Sequence, residues 1–415
     1  MRVIRRLFGV LFPFGRFSPE SRRLVFLMWL VGVLASFAAS HASSTIPFSR
    51  LSLGLSEGDM SLVLAVARFA GILALLFSWW GDKAGRRRPF LVAFAILVLA
   101  TAATAGVQTG WQFAALQAVT RAAAAAVGTL AVVLIAEQVA PGVRAFAISL
   151  YGAGGSFGAG LGLIALPLAE IGPDGWRGLF ALGALGIVAL PLLTRGVRES
   201  PVFEIEHAND LIDVAPLRDL LRSNFAGRLY LTGSINLLVN IFMAITLAFS
   251  IERLVGDVGL PTTVAVLLSL FGGTAGATGF FLGGRLADTI GRRSTSIMSL
   301  ALLLVGGITL YWSESLPVLA GAITVGTFGS FAFVPAAASH RTELFPTAFR
   351  TTANAAGAYF GMIGSAVGLL IGRFTIDEIG LSQTVTLLGL GVVGGVALTM
   401  FLPETQGQEL DSVVR

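Results

Sequence analysis

The chain has no cysteine, one lysine (Lys83), three histidines and few charges of any kind. Without cysteine it can form neither a disulfide nor a thiolate metal site. Charged residues are 12% of 415, 28 basic and 23 acidic, where a soluble chain carries about 25%. So few charges cannot cover a chain of this length with a water-facing surface. Hydrophobic residues reach 55% and mean hydropathy +0.83, which marks a polytopic membrane protein. A net charge of +5 would suit a nucleic-acid binder only if the basic residues shared one exposed face. They sit instead in short runs between apolar stretches, so no nucleic-acid partner is expected. A phosphate loop, a metal cluster and a nucleophile constellation are all missing, so neither an enzyme nor a cofactor is expected.

What is present is long apolar runs. A spanning helix needs about 20 such residues. Twelve are predicted, at 24–44, 61–80, 89–107, 113–136, 145–168, 177–195, 228–250, 262–282, 294–312, 316–339, 351–372 and 382–402. None shows the dyad alternation of a membrane barrel strand. The domain reading is a basic N-terminus (1–23), a six-helix bundle (24–195), a polar linker (196–227), a second six-helix bundle (228–402) and a short tail (403–415). Val3, Ile4, Leu7, Phe8 and Leu11 alternate with Arg2, Arg5 and Arg6 at roughly helical spacing, and Pro13 ends that stretch. It reads as a topology-fixing basic tail or a membrane-surface helix, not as a cleaved signal peptide.

The basic residues set the orientation. One side of the twelve spans holds the N-terminal arginines, Lys83, Arg86, Arg87, Arg88, Arg144, Arg195, Arg198, Arg218, Arg222, Arg228, Arg285, Arg292, Arg293, Arg341, Arg350 and Arg415. The other holds Arg50, Arg177, Arg253 and Arg373. Both termini are therefore expected in the cytoplasm, with the basic loops against anionic headgroups of the inner (plasma) membrane.

The chain also repeats itself. Gly81-Asp82-Lys83-Ala84-Gly85-Arg86-Arg87-Arg88 follows span 2, and Gly284-Arg285-Leu286-Ala287-Asp288-Thr289-Ile290-Gly291-Arg292-Arg293 follows span 8. Asp82 and Asp288, Gly85 and Gly291, Glu137 and Glu343, and Arg144 and Arg350 are each 206 positions apart. Two separate motifs with one offset imply parallel six-span repeats, related by an axis along the membrane normal, with a site between them near the midplane.

These loops resemble the signature loop of the major facilitator superfamily. Glu343-Leu344-Phe345-Pro346 with Arg350, Pro403-Glu404-Thr405 with Gly407, and Arg198-Glu199-Ser200-Pro201 are similar to its sugar-porter and metabolite-symporter branches. The resemblance spans essentially the whole chain. It implies twelve helices in two pseudosymmetric six-helix bundles. It further implies that Asp82 contacts a helix N-terminus of the other half, that Glu137 pairs with signature-loop arginines, and that Glu343 pairs with Arg292 or Arg293. Gly81, Asp82, Gly85, Arg86, Glu137, Arg144, Asp288, Gly291, Arg292, Glu343 and Arg350 would then form cytoplasmic latches. The alternative is that they only set topology and stability. Glycines at four-spacing in spans 5 and 8 read as close helix packing.

Charge inside the bilayer is costly and marks function. On the expected boundaries only Arg68 and Arg121 lie deep, about eight residues from the outer end of their spans, or roughly 12 Å. In the family resembled, spans 1, 4, 7 and 10 line the cavity, which directs Arg121 toward substrate. The arginine usual on span 4 stands about one turn earlier, where this chain has Gln117. No acid lies at mid-membrane, so a cationic solute lacks a partner, whereas a carboxylate would meet a guanidinium fork. Ser36, Ser40, Asn236, Asn240 and Tyr359 are further substrate candidates, with Thr327 weaker. His41 and Glu137 are the candidates for proton coupling. His340 and Arg341 read as gate or topology residues.

The function expected is secondary active transport of a small polar organic solute, with a lean toward anions, by alternating access and with proton symport. A proton-coupled drug or metabolite exporter is the alternative within transport, and a non-transporting receptor or scaffold the alternative outside it. A monomer is expected, with the solute, protons and lipid as its partners.

Overall fold

A computed structural model describes residues 17–199, 221–345 and 347–406. The expectations about the N-terminal arginines, most of the linker and the end of the tail fall outside these residues. The side chains of Asp82, Arg144 and Arg350 also lie outside what is described.

Among the described residues, twelve helices are long and apolar enough to cross a membrane, and no strand occurs. In order the spans are Pro19–Ser44, Glu57–Gly81, Arg87–Thr104, Gly110–Gln138, Leu150–Glu170, Gly175–Gly196, Ala226–Ala248, Thr262–Ile290, Arg292–Trp312, Leu316–Arg341, Ala356–Ile379 and Leu381–Met400. Local chemistry sets the ends. Span 1 starts earlier than its apolar run because Ser18 caps it, accepting from the Ser21 N–H at 3.1 Å, and Pro19 fits the first turn. A capping box opens span 4, where Thr109 accepts from the Gln112 N–H at 3.3 Å and Gln112 accepts from the Thr109 N–H at 3.2 Å. Span 11 runs past its apolar stretch to Ile379, because Arg373 and Asp377 pair one turn apart at 3.3 Å and carry their charges on the helix.

The chain forms two compact units. One comprises the described parts of Met1–Phe48 and Ala70–Ile212, the other Ser49–Phe69 and the described parts of Asp213–Arg415. In the first, span 1 lies along the helix Pro141–Ala165. A Cβ at Gly158 would collide with the Val33 carbonyl. In the second, span 7 lies along the helix Thr347–Ile379, and a Cβ at Gly364 would collide with the Leu237 carbonyl. Gly158 and Gly364 are 206 residues apart, so the repeat extends to the helix contacts. Lipid gives helices no hydrophobic reason to associate, and close backbone approach at small residues supplies dispersion instead.

Candidate functional site

Each unit builds its signature loop in the same way. Gly85 has φ 91° and Gly291 φ 104°, a region that favours glycine. A helix begins at Arg87, two residues after Gly85, and at Arg292, directly after Gly291, and neither helix has a capping side chain from the preceding residue. The cap comes from far along the chain. Glu199 accepts from the backbone N–H groups of Arg86 at 2.8 Å and Arg87 at 3.2 Å. Glu404 accepts from those of Arg292 at 2.8 Å and Arg293 at 3.1 Å. Two free N–H groups at the positive end of a helix form a natural seat for a carboxylate. Partial burial alone would raise the Glu404 carboxyl, but backbone N–H groups of Arg292, Gln406, Thr405 and Arg293 hold it below the usual range. The sequence marked both glutamates as motif members but gave them no role.

The arginine side chains complete the loops. The Arg86 guanidinium lies 3.4 Å from Glu137, and the Arg87 side chain donates to the carbonyls of Val197 at 2.8 Å and Thr194 at 2.6 Å. In the second unit Arg292 meets Glu343 at 3.0 Å and the exposed Asp288 at 2.7 Å. The Thr405 hydroxyl donates to Glu343. Of the two arginines open to Glu343, the structure selects Arg292.

Deeper in the spans the chemistry is sparse. Every carboxylate within the twelve spans lies in the first or last turn. Arg121 stands eleven residues past Gly110 in a helix of 29, about 17 Å along it. It is half-buried and forms no hydrogen bond or ion pair with a described residue. Gln117, one turn earlier, is buried and donates to the Thr104 hydroxyl at 3.2 Å. Arg68 belongs to the other unit, where it is half-buried and engaged with neighbouring groups.

The remaining candidates are dispersed. His41 is fully buried between Phe37 and Phe180, with ring centroids 4.4 and 5.5 Å away, and neither ring nitrogen has a hydrogen-bond partner among the described residues. Ser36 and Asn240 each face a glycine at a helix contact, and those two glycines, Gly155 and Gly361, are 206 residues apart. A Cβ on Gly155 would lie 3.0 Å from the Ser36 hydroxyl, and one on Gly361 would lie 3.0 Å from the Asn240 amide nitrogen. Ser40 donates to the Phe37 carbonyl at 2.9 Å, and Asn240 donates to that of Asn236 at 2.9 Å. Asn236, His340 and Arg341 line one small pocket of the second unit, and the Tyr359 ring is exposed. The second unit also holds a cavity of about 160 Å³ whose polar lining is the neutral hydroxyls of Thr246, Ser250, Ser269, Thr327 and Ser330.

Comparison with known proteins agrees with this geometry. The profile of the Major Facilitator Superfamily matches residues 28–255 and 233–412. A gallate transporter of Pseudomonas putida is 24% identical over 412 residues, covering 89% of this chain and 91% of that protein. Among solved structures, a point mutant of the nucleoside transporter NupG superposes with a TM-score of 0.77 at 13% identity, covering 92% of this chain and 99% of the other. A D-xylose-proton symporter does so with a TM-score of 0.74 at 18% identity, covering 93% and 99%.

Proposed function

The chain belongs to the Major Facilitator Superfamily of membrane transporters, and on that footing we propose that it is a proton-coupled symporter of a small organic anion, with aromatic carboxylates as the first class to test. The observation that carries this reading is Arg121, a guanidinium deep in span 4 without a partner among the described residues. A cation deep in a span is retained at a cost, and a planar carboxylate fits its donor fork. The spans offer no deep carboxylate to a cationic solute. The similarity to a gallate transporter supports the same class, since gallate joins a carboxylate to a hydroxylated ring.

In this reading the signature-loop end faces the cytoplasm at the plasma membrane, and transport proceeds by alternating access. The pairs Arg86–Glu137 and Arg292–Glu343 act as latches of one access state. The test is a thermal-shift screen of benzoates, sugars and cationic drugs at two pH values, followed by uptake of radiolabelled gallate into proteoliposomes with Arg121→Ala as control. Stabilisation by cations alone, or equal gallate uptake by Arg121→Ala, would overturn the anion reading.

A further inference from the structure

The second unit carries a charged cluster at the end of its spans away from the signature loops. Its centre is Glu252, in the short helix Ser250–Glu252 just past span 7, followed by a single π turn at Arg253–Asp257. Such turns recur at functional sites. Glu252 is fully buried. Its Oε1 accepts from Arg50 twice, from Nη2 at 2.6 Å and from Nε at 2.9 Å. Its Oε2 has no hydrogen-bond partner among the described residues. The same Arg50 Nη2 lies 3.5 Å from Glu57.

The groups around this pair leave a charge unbalanced. Arg253 is occupied by Asp257 at 3.5 Å and by the Ser313 carbonyl at 3.2 Å. Tyr311 is buried nearby, but its hydroxyl donates to the Thr246 carbonyl at 2.8 Å and is not free for Glu252. Asp377, beyond Glu57, is supplied by the Ser56 hydroxyl at 2.7 Å, the Gly58 N–H at 3.0 Å and Arg373 at 3.3 Å. Glu57, Glu252 and Asp257 thus share the two guanidiniums of Arg50 and Arg253, while Asp59 and Asp377 share that of Arg373, each at 3.3 Å, so a proton on Glu252 removes one of the surplus negative charges. Burial pushes the Glu252 carboxyl up and the Asp257 charge adds to it, against the pull of Arg50. Burial alone would lower Arg50, but Glu252, Glu57 and Asp257 together hold it above its ordinary value.

We propose that Glu252, set against Glu57 across Arg50, binds the proton that is coupled to transport. The proposal rests on the reading of this chain as a proton symporter. The proton comes from the water at that end of the spans and adds to Oε2, the oxygen without a donor. Glu252 becomes neutral, and Arg50 keeps its contact with Glu57 at 3.5 Å. The tie between the helix Ile46–Ser52 and Glu252 weakens. When the proton leaves, the ionised carboxylate binds Arg50 again.

Two arms test this on the full chain. Infrared difference spectra of the purified protein in nanodiscs, between about pH 5 and pH 8, report protonated carboxyls directly. A carboxyl C=O band is expected in the native protein, lost in Glu252→Gln and kept in Asp377→Asn. Glu57→Gln removes a neighbouring negative charge, so the band should titrate about one unit lower. An unchanged band in Glu252→Gln, or an unmoved midpoint in Glu57→Gln, would overturn the proposal. The second arm uses radiolabelled gallate in proteoliposomes. The ratio of gradient-driven uptake to equal-concentration exchange should fall at least about tenfold in Glu252→Gln; an unchanged ratio would overturn the proposal as well. A native protein that moves no gallate would defeat the substrate reading alone, and the infrared arm would still decide the proton site.

Discussion

Glu404→Ala is the sharpest perturbation of the signature loops. In the native chain the Glu404 carboxylate caps the helix Arg292–Trp312, reaching the Arg292 N–H at 2.8 Å and the Arg293 N–H at 3.1 Å. Gly291 precedes that helix and has no side chain to substitute for it. Loss of a capping side chain costs about 0.5–2 kcal/mol. Loss of a negative charge at a helix N-terminus adds about 0.3–1 kcal/mol, and up to about 2 where the site is partly buried. The expected local loss is about 2–3 kcal/mol for Glu404→Ala. For Glu404→Gln, which keeps an acceptor oxygen, it is about 1 kcal/mol. At 1.36 kcal/mol per factor of ten, these correspond to about 30- to 150-fold and about fivefold faster opening.

Amide hydrogen exchange at residues 292 and 293, read by mass spectrometry, measures that opening directly. The pH dependence has a definite sign. The folded Glu404 carboxyl titrates below its ordinary value of 4.5, so its contribution is fully present above that value. It is lost as pH falls through the lowered folded value, and Glu404→Gln should lack this acid-dependent loss. Glu199 holds the corresponding N–H groups of Arg86 and Arg87 at 2.8 and 3.2 Å. Glu199→Ala should therefore accelerate exchange at residues 86 and 87 to the same degree. Native exchange rates at 292 and 293 in Glu404→Ala would refute the capping argument. An effect in one unit only would refute the equivalence of the two loops.

Three further outcomes follow from the geometry. Arg121→Lys keeps the charge but loses the fork, and should weaken carboxylate binding about 10- to 100-fold in a thermal-shift titration. A double-mutant cycle on Arg292 and Glu343, with two guanidinium nitrogens at 3.0 and 3.2 Å, should give about 1–2 kcal/mol in detergent unfolding, against about 0.5 kcal/mol for Arg86 and Glu137 with one contact at 3.4 Å. Gly158→Ala drives a methyl into the Val33 carbonyl and should destabilise by about 1–3 kcal/mol, while Gly152→Ala, open within 4 Å, should be neutral or stabilising by thermal shift.

The spans and the repeat were legible because each carries a local signal. An apolar run announces its own helix, and the 206-residue offset needs only comparison of the chain with itself. The four-spaced glycines announced close packing, though not their partner carbonyls. Faces and partners were less legible. His41 stands out in the sequence as a proton-coupling candidate at the end of a span, yet the turn of the helix places it among Phe37 and Phe180, because an apolar run does not say which side of it is inside. Glu199 and Glu404 could be seen as motif members, but the N–H groups they hold lie more than a hundred residues away.

The least legible feature has no place in the repeat at all. Adding 206 to Arg50 and Glu57 gives Gly256 and Thr263, and subtracting it from Glu252 gives Ile46. The loop ion pairs and the glycine contacts recur in both halves, as the repeat leads one to expect. Among the described residues the Arg50–Glu252–Glu57 cluster has no counterpart at the 206-residue offset, and it buries a carboxylate with an unsatisfied oxygen. A costly feature that the repeat does not require is retained for some other reason, and surplus negative charge around a buried carboxylate at the end of the spans has proton binding as its simplest use.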